Sequence, residues 1–427
     1  LRDGGYYFAI SDMLDLKLLG EIYTRGSWGV SVASNYHKRY RYSGSFLFSY
    51  QDTKTGDKGL PDFSEQKSFK IQWSHRQDSK ANPYSSLAAS VNFATSSYER
   101  NNLNSMYNPQ TLTQSTRTSS VSWSTGFSSI GLSLSATANL AQNQRDSSIT
   151  MTLPDLNISL ARFYPFKRRH AVGKERWYEK ISMGYTGQIT NSISTKEDQL
   201  MHASLLKDWK NGMQHSIPIQ GNFTLFDYIN ITTSLSFTDR MYTNKVTRSW
   251  DDRTNTEVRD TTYGFHNIYN WNLSLSASTK LYGMWIPNKK LFGDKLQAVR
   301  HVITPQVSFS YAPDFSSPRY GYYDSYQYTD ANGEVHLVEY SPYENGCFGV
   351  PGRGKSENVS FRLDNNIEAK IKDKNDSIKK ISIIDQLGFS MSYNAAAAIH
   401  KWSDLSVDLR LKWWKNYTYS MHAVFAT

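Results

Sequence analysis

Residues 130–140 read IGLSLSATANL, and their alternation is strict. Ile130, Leu132, Leu134, Ala136, Ala138 and Leu140 fall on one parity, and Gly131, Ser133, Ser135, Thr137 and Asn139 on the other. Successive side chains of an extended chain point to opposite faces, so this is a strand with one apolar and one wet face. The pattern recurs outward in both directions. Ile229, Ile231, Leu235 and Phe237 alternate with Asn230, Thr232, Ser234 and Ser236, and Trp271, Leu273, Leu275 and Ala277 with Asn272, Ser274 and Ser276. Late in the chain Leu405, Val407, Leu409, Leu411 and Trp413 alternate with Ser406, Asp408, Arg410 and Lys412. Apolar faces begin or end in aromatic residues, as at Phe69, Ile71 and Trp73. None of these segments carries a helical period.

About eighteen such segments of roughly ten to fifteen residues can be read, the length with which a tilted strand crosses a membrane. Their connections alternate in length. Long polar stretches fall at 51–66, 95–114, 194–212, 242–262 and 312–356, and short turns at 78–83, 128–129, 225–228 and 415–416. This asymmetry predicts an all-β fold, a large antiparallel transmembrane β-barrel with long extracellular loops and short periplasmic turns. Two stretches, 164–176 and 283–300, are longer than strict alternation allows. In hydrocarbon every backbone N–H and C=O must be paired, so the strands have to close into a ring. Residues 1–427 are read as one incomplete barrel domain lacking its last strands, and 312–356 as its longest loop, rich in Tyr, Gly and Pro.

Composition excludes several alternatives. A mean hydropathy of −0.58, with no apolar run near the ~18–20 residues of a spanning helix, rules out a helical membrane protein. Aromatic residues at 14% argue against disorder, because such a chain has apolar area to bury. Cys347 is the single cysteine, which excludes an intrachain disulfide and the cysteine clusters of zinc or iron–sulfur sites. The formal charge of +10 suits phosphate-bearing partners, while nothing marks a nucleic-acid motif, and no nucleic acid is expected. The chain opens at Leu1 with no charged-then-apolar leader, which reads as a leader removed or lying outside it.

Chemistry-bearing strings have plain readings. GVPGRGKS at 349–356 fits the phosphate-loop pattern, but that mechanism needs a strand before it and a helix after it. Val359, Phe361 and Leu363 instead alternate as a strand, so an exposed glycine-rich loop is expected. His215 beside Ser216 is a chance neighbour without triad spacing. No catalytic, cofactor-binding or metal-binding residue is assigned, and the chain is not read as an enzyme. Basic clusters at His37, Lys38, Arg39 and Arg41, at Lys167, Arg168, Arg169 and His170, and at 289–290 suit either the phosphates of a bound headgroup or interfacial anchoring. Lys370, Lys372, Lys374, Lys379 and Lys380 surround a hairpin turn and read as solubilising charge. Trp271, Trp285, Trp413 and Trp414 read as an aromatic girdle.

Several stretches, in order, resemble the LptD (OstA) family, and in particular its Bacteroidetes-like branch. They are GGYYFAISDMLDLKLLGEIYTRGSWG at 4–29, LPDLNISLARFYPFKRR at 153–169, RHVITPQVSFSYAPDF at 300–315, YSPYENGCFGVPGRGKS at 340–356 and LDNNIEAKIK at 363–372. The resemblance implies a multi-pass protein of a Gram-negative outer membrane, with a full barrel of about 26 strands after a periplasmic jelly roll absent here. It also implies lipopolysaccharide as cargo, an LptE-like lipoprotein plug, periplasmic lipopolysaccharide-bridge proteins and contact with membrane lipids. The seam between first and last strands opens laterally, and the resemblance puts Tyr6, Tyr7, Phe8, Ala9, Ile10 and Gly20 on its near side. In some relatives prolines weaken the first strands; Asp12 and Gly20 stand at the aligned positions, and Gly20 has no side chain to pack. Cys347 alone cannot supply the paired interdomain disulfides of some members. The expected function is insertion of lipopolysaccharide into the outer leaflet, with an outer-membrane porin or nutrient receptor barrel as the alternative. An outer-membrane enzyme and an adhesive scaffold are further rivals.

Overall fold

The computed structural model describes all residues except 1, 25, 102–115, 171, 206, 289–292, 294, 331, 373–376 and 415–416. The chain forms β1 (Gly4–Ser11), β2 (Leu14–Ile22), β3 (Trp28–Lys38), β4 (Tyr42–Thr55), β5 (Ser64–Gln77), β6 (Ser85–Ala94) and a single helical turn, α1 (Tyr98–Asn101). There follow β7 (Thr116–Phe127), β8 (Leu132–Asn143), β9 (Ser148–Phe163), β10 (Ile181–Lys196), β11 (Lys210–Leu225), β12 (Ile229–Asp251), β13 (Thr256–Ser278) and β14 (Leu281–Trp285). The last are β15 (Leu296–Ala312), β16 (Asp324–Thr329), β17 (Val335–Tyr340), β18 (Ser356–Lys372), β19 (Ile378–Asn394), β20 (Leu405–Trp414) and β21 (Tyr417–Phe425). None of the described helices is long and apolar enough to cross a membrane.

Nineteen strands make one antiparallel meander in which strands adjacent in sequence pair, except that β13 and β14 both pair β15, and β15 pairs β18; β16 and β17 form a separate hairpin. β13 and β14 pair successive parts of β15, so the two act as one stave and the described sheet is eighteen staves wide. The break between them lies opposite Pro305. Thr279 N–H donates to the Pro305 carbonyl at 3.2 Å, but Pro305 has no N–H to return. Pro154 acts similarly in β9, where both flanking ladders slip, between Thr137 and Asn139 and between Thr190 and Ser192. Among the described residues β1 pairs only with β2 and β21 only with β20, so the sheet is not closed.

Cross-strand partners share a face, which sorts the side chains. Ser45, Ser74, Ser90, Ser120 and Asn139 run in one register row, and Ser234, Ser274, Ser310, Asn358 and Asn394 in another. On the other face Phe46, Trp73 and Val91 are in register, as are Leu363, Phe389 and Val407. That apolar face is left bare: Leu275 and Phe361 are each about two-fifths exposed, and an open groove is lined by Ile71, Val91, Phe93, Val121, Leu140 and Met151. Apolar area on this scale needs a non-aqueous neighbour, since exposure costs roughly 25 cal/mol per Å².

Connections separate by rim. One rim carries 12–13, 39–41, 78–84, 128–131, 164–180, 226–228, 286–295 and 373–377, and the other 23–27, 56–63, 95–115, 144–147, 197–209, 252–255, 313–355 and 395–404. The longest therefore share one side, with 164–180 and 286–295 as the exceptions on the short-turn rim. Two expectations are corrected. The expected loop at 51–66 shrinks to 56–63, because β4 continues to Thr55 and β5 starts at Ser64. The expected loop at 242–262 is a hairpin, with β12 reaching Asp251 and β13 starting at Thr256. Pairing continues there after the apolar alternation stops, since strands beyond the apolar zone no longer need a greasy face.

Candidate functional site

β1 presents the expected seam residues at an open edge. Gly4 lies opposite Gly20, Tyr6 opposite Leu18 and Phe8 opposite Leu16 on the apolar face; Tyr7 and Ala9 face Lys17 and Asp15 on the polar one. Tyr6, Tyr7, Phe8 and Ile10 are 45–75% exposed. Lys17 Nζ sits 5.8 Å from the Tyr7 ring centroid on the polar face, and among the described residues β2 is the one strand that pairs with β1. A Cβ on Gly5 would lie 1.8 Å from the Leu18 carbonyl oxygen, so this close approach requires glycine. Asp12 sits in the tight turn joining β1 to β2.

The two basic clusters stand on the short-turn rim but six staves apart, and the structure does not bring them together. Lys38 ends β3, and Arg39 and Arg41 flank Tyr40, whose ring has Arg39 at 4.9 Å and Lys80 at 4.7 Å. In the 164–180 connection Lys167 pairs with Glu175 at 3.2 Å. Arg168 grips Glu179 through Nε at 2.5 Å and Nη2 at 3.0 Å, and Glu179 also accepts the Arg176 N–H at 2.6 Å. These bonds, Arg168 first, pull the Glu179 carboxyl down to about 2. Arg168 and Lys167 thus build the connection's own fold, while Arg169 points no charge at a described acid. The cluster at 289–290 and the side chains of 413–414 lie outside the described residues.

The longest connection is folded against the sheet. Phe315 and Tyr322 bury with Tyr242 and Ile268 in one apolar cluster, against which Trp271, Tyr320, Tyr323, Tyr343, Phe348 and Val350 pack. Tyr242 OH donates to the Gly349 carbonyl at 2.6 Å, and Arg248 pairs with Glu344. Trp271 therefore packs against loop residues as well as standing in the apolar row. Cys347 Sγ lies 3.1 Å from the Lys210 carbonyl, and burial pushes its thiol up. Residues 349–355 form an irregular glycine-rich loop leading into β18 with no helix after it; 352–355 are exposed as expected, but Pro351 is buried and Val350 packs on the apolar cluster. His215 and Ser216 project to opposite faces of β11, and His215 Nδ1 bonds the Tyr185 hydroxyl at 2.7 Å.

Asp330, Glu334 and His336 bring three ligand-type groups together at the turn of the β16–β17 hairpin. Asp330 Oδ1 already accepts the N–H groups of Asn332 and Glu334, and its Oδ2 faces His336 at 3.3 Å, so the carboxylate closes the turn. A second network escapes any sequence reading. Glu99 on α1 meets Lys70 at 3.1 Å and the buried Arg117, drawing α1 onto the sheet where β6 and β7 part company beyond Ser90. Its members are 47 residues apart and follow no motif.

Comparison with known proteins adds the following. A double mutant of the Serratia marcescens hemophore receptor HasR, in complex with its hemophore HasA and heme, is 8% identical with a TM-score of 0.22, covering 96% of this chain and 72% of that one. A double variant of OccD1 (OprD) is 10% identical with a TM-score of 0.22, covering 97% and 96%. Neither likeness is close enough to bear an argument. The comparison with curated protein sequences finds no match. The family model described as "LptD protein" matches residues 1–427. With that match over the whole length of an antiparallel sheet that is polar on one face and bare and apolar on the other, the chain belongs to the LptD family, outer-membrane β-barrel components of lipopolysaccharide transport.

Proposed function

We propose that this chain forms the wall through which lipopolysaccharide enters the outer leaflet, its sugar head travelling along the polar face and its acyl tails leaving sideways through a seam. The observation that carries this is the pair of opposed faces. Rows of Ser and Asn offer hydrogen bonds to a hydrated head, while the outer face offers only hydrocarbon contact. The chain works without catalysis, and energy comes from periplasmic bridge proteins that deliver the cargo. An LptE-like lipoprotein plugs the lumen, and the short-turn rim, with Lys38, Arg39, Arg41, Lys167, Arg168 and Arg169, sits at lipid headgroups. The branch is the Bacteroidetes-like one, and the barrel is completed to about 26 strands.

The test is depletion of the full-length protein in its host. Surface lipopolysaccharide should fall while newly made material accumulates on the inner side. Normal delivery with loss of solute uptake would instead establish the porin or receptor reading. For the seam, we propose β1 as its near side, in the order Tyr6 to Ile10. Cysteines placed at Tyr6 or Phe8 in the full-length protein should crosslink to the barrel's last strand; crosslinking to a strand directly before β1 would make β1 an interior stave and move the seam.

A further inference from the structure

Close to the short-turn rim, β14, β15, β18 and β19 bring cations together on the polar face. Met284, Arg300, Glu368 and Ser382 stand in one register row, and Ala298, Lys370 and Lys380 in the next row towards the rim. Arg300 and Lys370 lie an even number of residues from Ser310 and Asn358 of the polar row, which fixes their face. Ala298 lines a hollow of about 100 Å³ together with Met284, Arg300, Glu368, Lys370 and Lys380. That is small beside the ~300–1,000 Å³ of drug-sized sites, so it seats one compact group.

The charges around the hollow do not balance. Glu368 meets Arg300 Nη2 at 2.5 Å, and these two neutralise one another. Lys370 lies directly opposite Lys380, and among the described residues neither ammonium meets a carboxylate. The next acids along β18 and β19, Asp364 and Asp385, are taken by Arg362 at 2.7 Å and Arg410 at 2.6 Å. Like charges directly opposite weaken a ladder, and solubility alone would be served as well by lysine facing glutamate. An anion seated between the two ammoniums turns their repulsion into attraction. Access is open, since both lysines are exposed and the Arg300 side chain is about two-fifths exposed. A phosphoryl group carries up to about two negative charges and three strong acceptor oxygens, which matches two ammoniums and a guanidinium with donors to spare better than a carboxylate does.

We propose that this hollow binds a phosphoryl group, held by Lys370 and Lys380 from the hairpin and by Arg300, which Glu368 positions. The lysines that read as solubilising charge in the sequence are thereby ligands. That the phosphoryl group belongs to the lipopolysaccharide head rests on the export reading; free phosphate offers the same chemistry.

The experiment uses the full-length protein with its natural lipoprotein partner in detergent, and isothermal titration with three probes. These are the deacylated, phosphorylated oligosaccharide from the host's own lipopolysaccharide, the same oligosaccharide after phosphatase treatment, and inorganic phosphate. Binding of a phosphate-bearing probe that Lys370→Gln and Lys380→Gln each weaken about tenfold, the worth of one charged hydrogen bond, supports the site. Ala298→Leu should abolish it by filling the hollow with every charge in place. Lys58→Gln, in the 56–63 connection on the opposite rim, should leave it unchanged. Heat-modifiable gel migration confirms that the variants fold. Binding of the phosphorylated oligosaccharide alone names the cargo head as source, and equal binding of inorganic phosphate names free phosphate. Absence of binding, equal binding of the phosphatase-treated probe, binding unchanged in the Lys370, Lys380 and Ala298 variants, or an equal loss in Lys58→Gln overturns the proposal. Depletion judges the export reading separately, because it reads delivery and not this hollow.

Discussion

Glu179 shows how one residue can fold a connection. It is 2% exposed and collects Arg168 and two backbone N–H groups. Its carboxyl is held below the ordinary 4.5, at about 2, so its stabilisation is complete above the ordinary value and is lost as pH falls from there through about 2. The 164–180 connection should therefore stay closed at pH 5. Glu179→Gln should open it at neutral pH, read as several-fold faster tryptic cleavage after Arg168. Gly346 is a second such position. A Cβ there would meet the Tyr242 ring at 2.5 Å, with Cys347 next in sequence. Gly346→Leu should lift this part of the loop and raise the rate at which maleimide modifies Cys347, the single thiol, whose burial otherwise slows it.

At the scale of elements, β12 and β13 pair beyond both their neighbours. Their ladder continues from Asn244 with Tyr263 to Asp251 with Thr256, a projection of roughly 25 Å at ~3.3 Å per residue. The β12 edge of that ribbon would be bare, and the 313–355 connection covers it; the same connection covers β13 at Tyr269, before its pairing with β15 begins at Leu273. Val246 N–H donates to the Pro342 carbonyl at 2.9 Å, Arg248 N–H to Tyr340 Oη at 2.9 Å, and Tyr269 N–H to Tyr322 Oη at 2.9 Å. Capping an edge this way removes a template for pairing with another chain. Tyr322→Phe should leave the Tyr269 amide without its acceptor, and hydrogen exchange at Tyr269 should quicken by about tenfold, the worth of one such bond, while Leu273, paired to Tyr311, stays protected.

For the whole molecule, the two faces of the sheet set which substitutions are tolerated. Leu275 belongs to the apolar face and Asn272 to the polar one, three residues apart on β13. Leu275→Arg should cost roughly 2–4 kcal/mol in a bilayer if it lies near mid-depth, whereas Asn272→Arg should cost little. Refolding into phospholipid vesicles across a denaturant series measures the difference. If both arginines cost the same, the assignment of faces is wrong.

The sequence by itself determined the strands, their faces and the rims, because side-chain alternation is a local property that burial in a two-sided sheet writes into every other residue. It also showed 164–176 and 283–300 as anomalies, and both are long connections on the short-turn rim. Only the tertiary structure decided the rest. The 242–262 stretch looked like a loop because no greasy face marks strands that stand beyond the apolar zone. Phe315 and Tyr322 packing on Tyr242, and Arg117 reaching Glu99, join residues distant in the chain. Such contacts depend on where whole strands sit beside one another, and alternation within a strand carries no record of that.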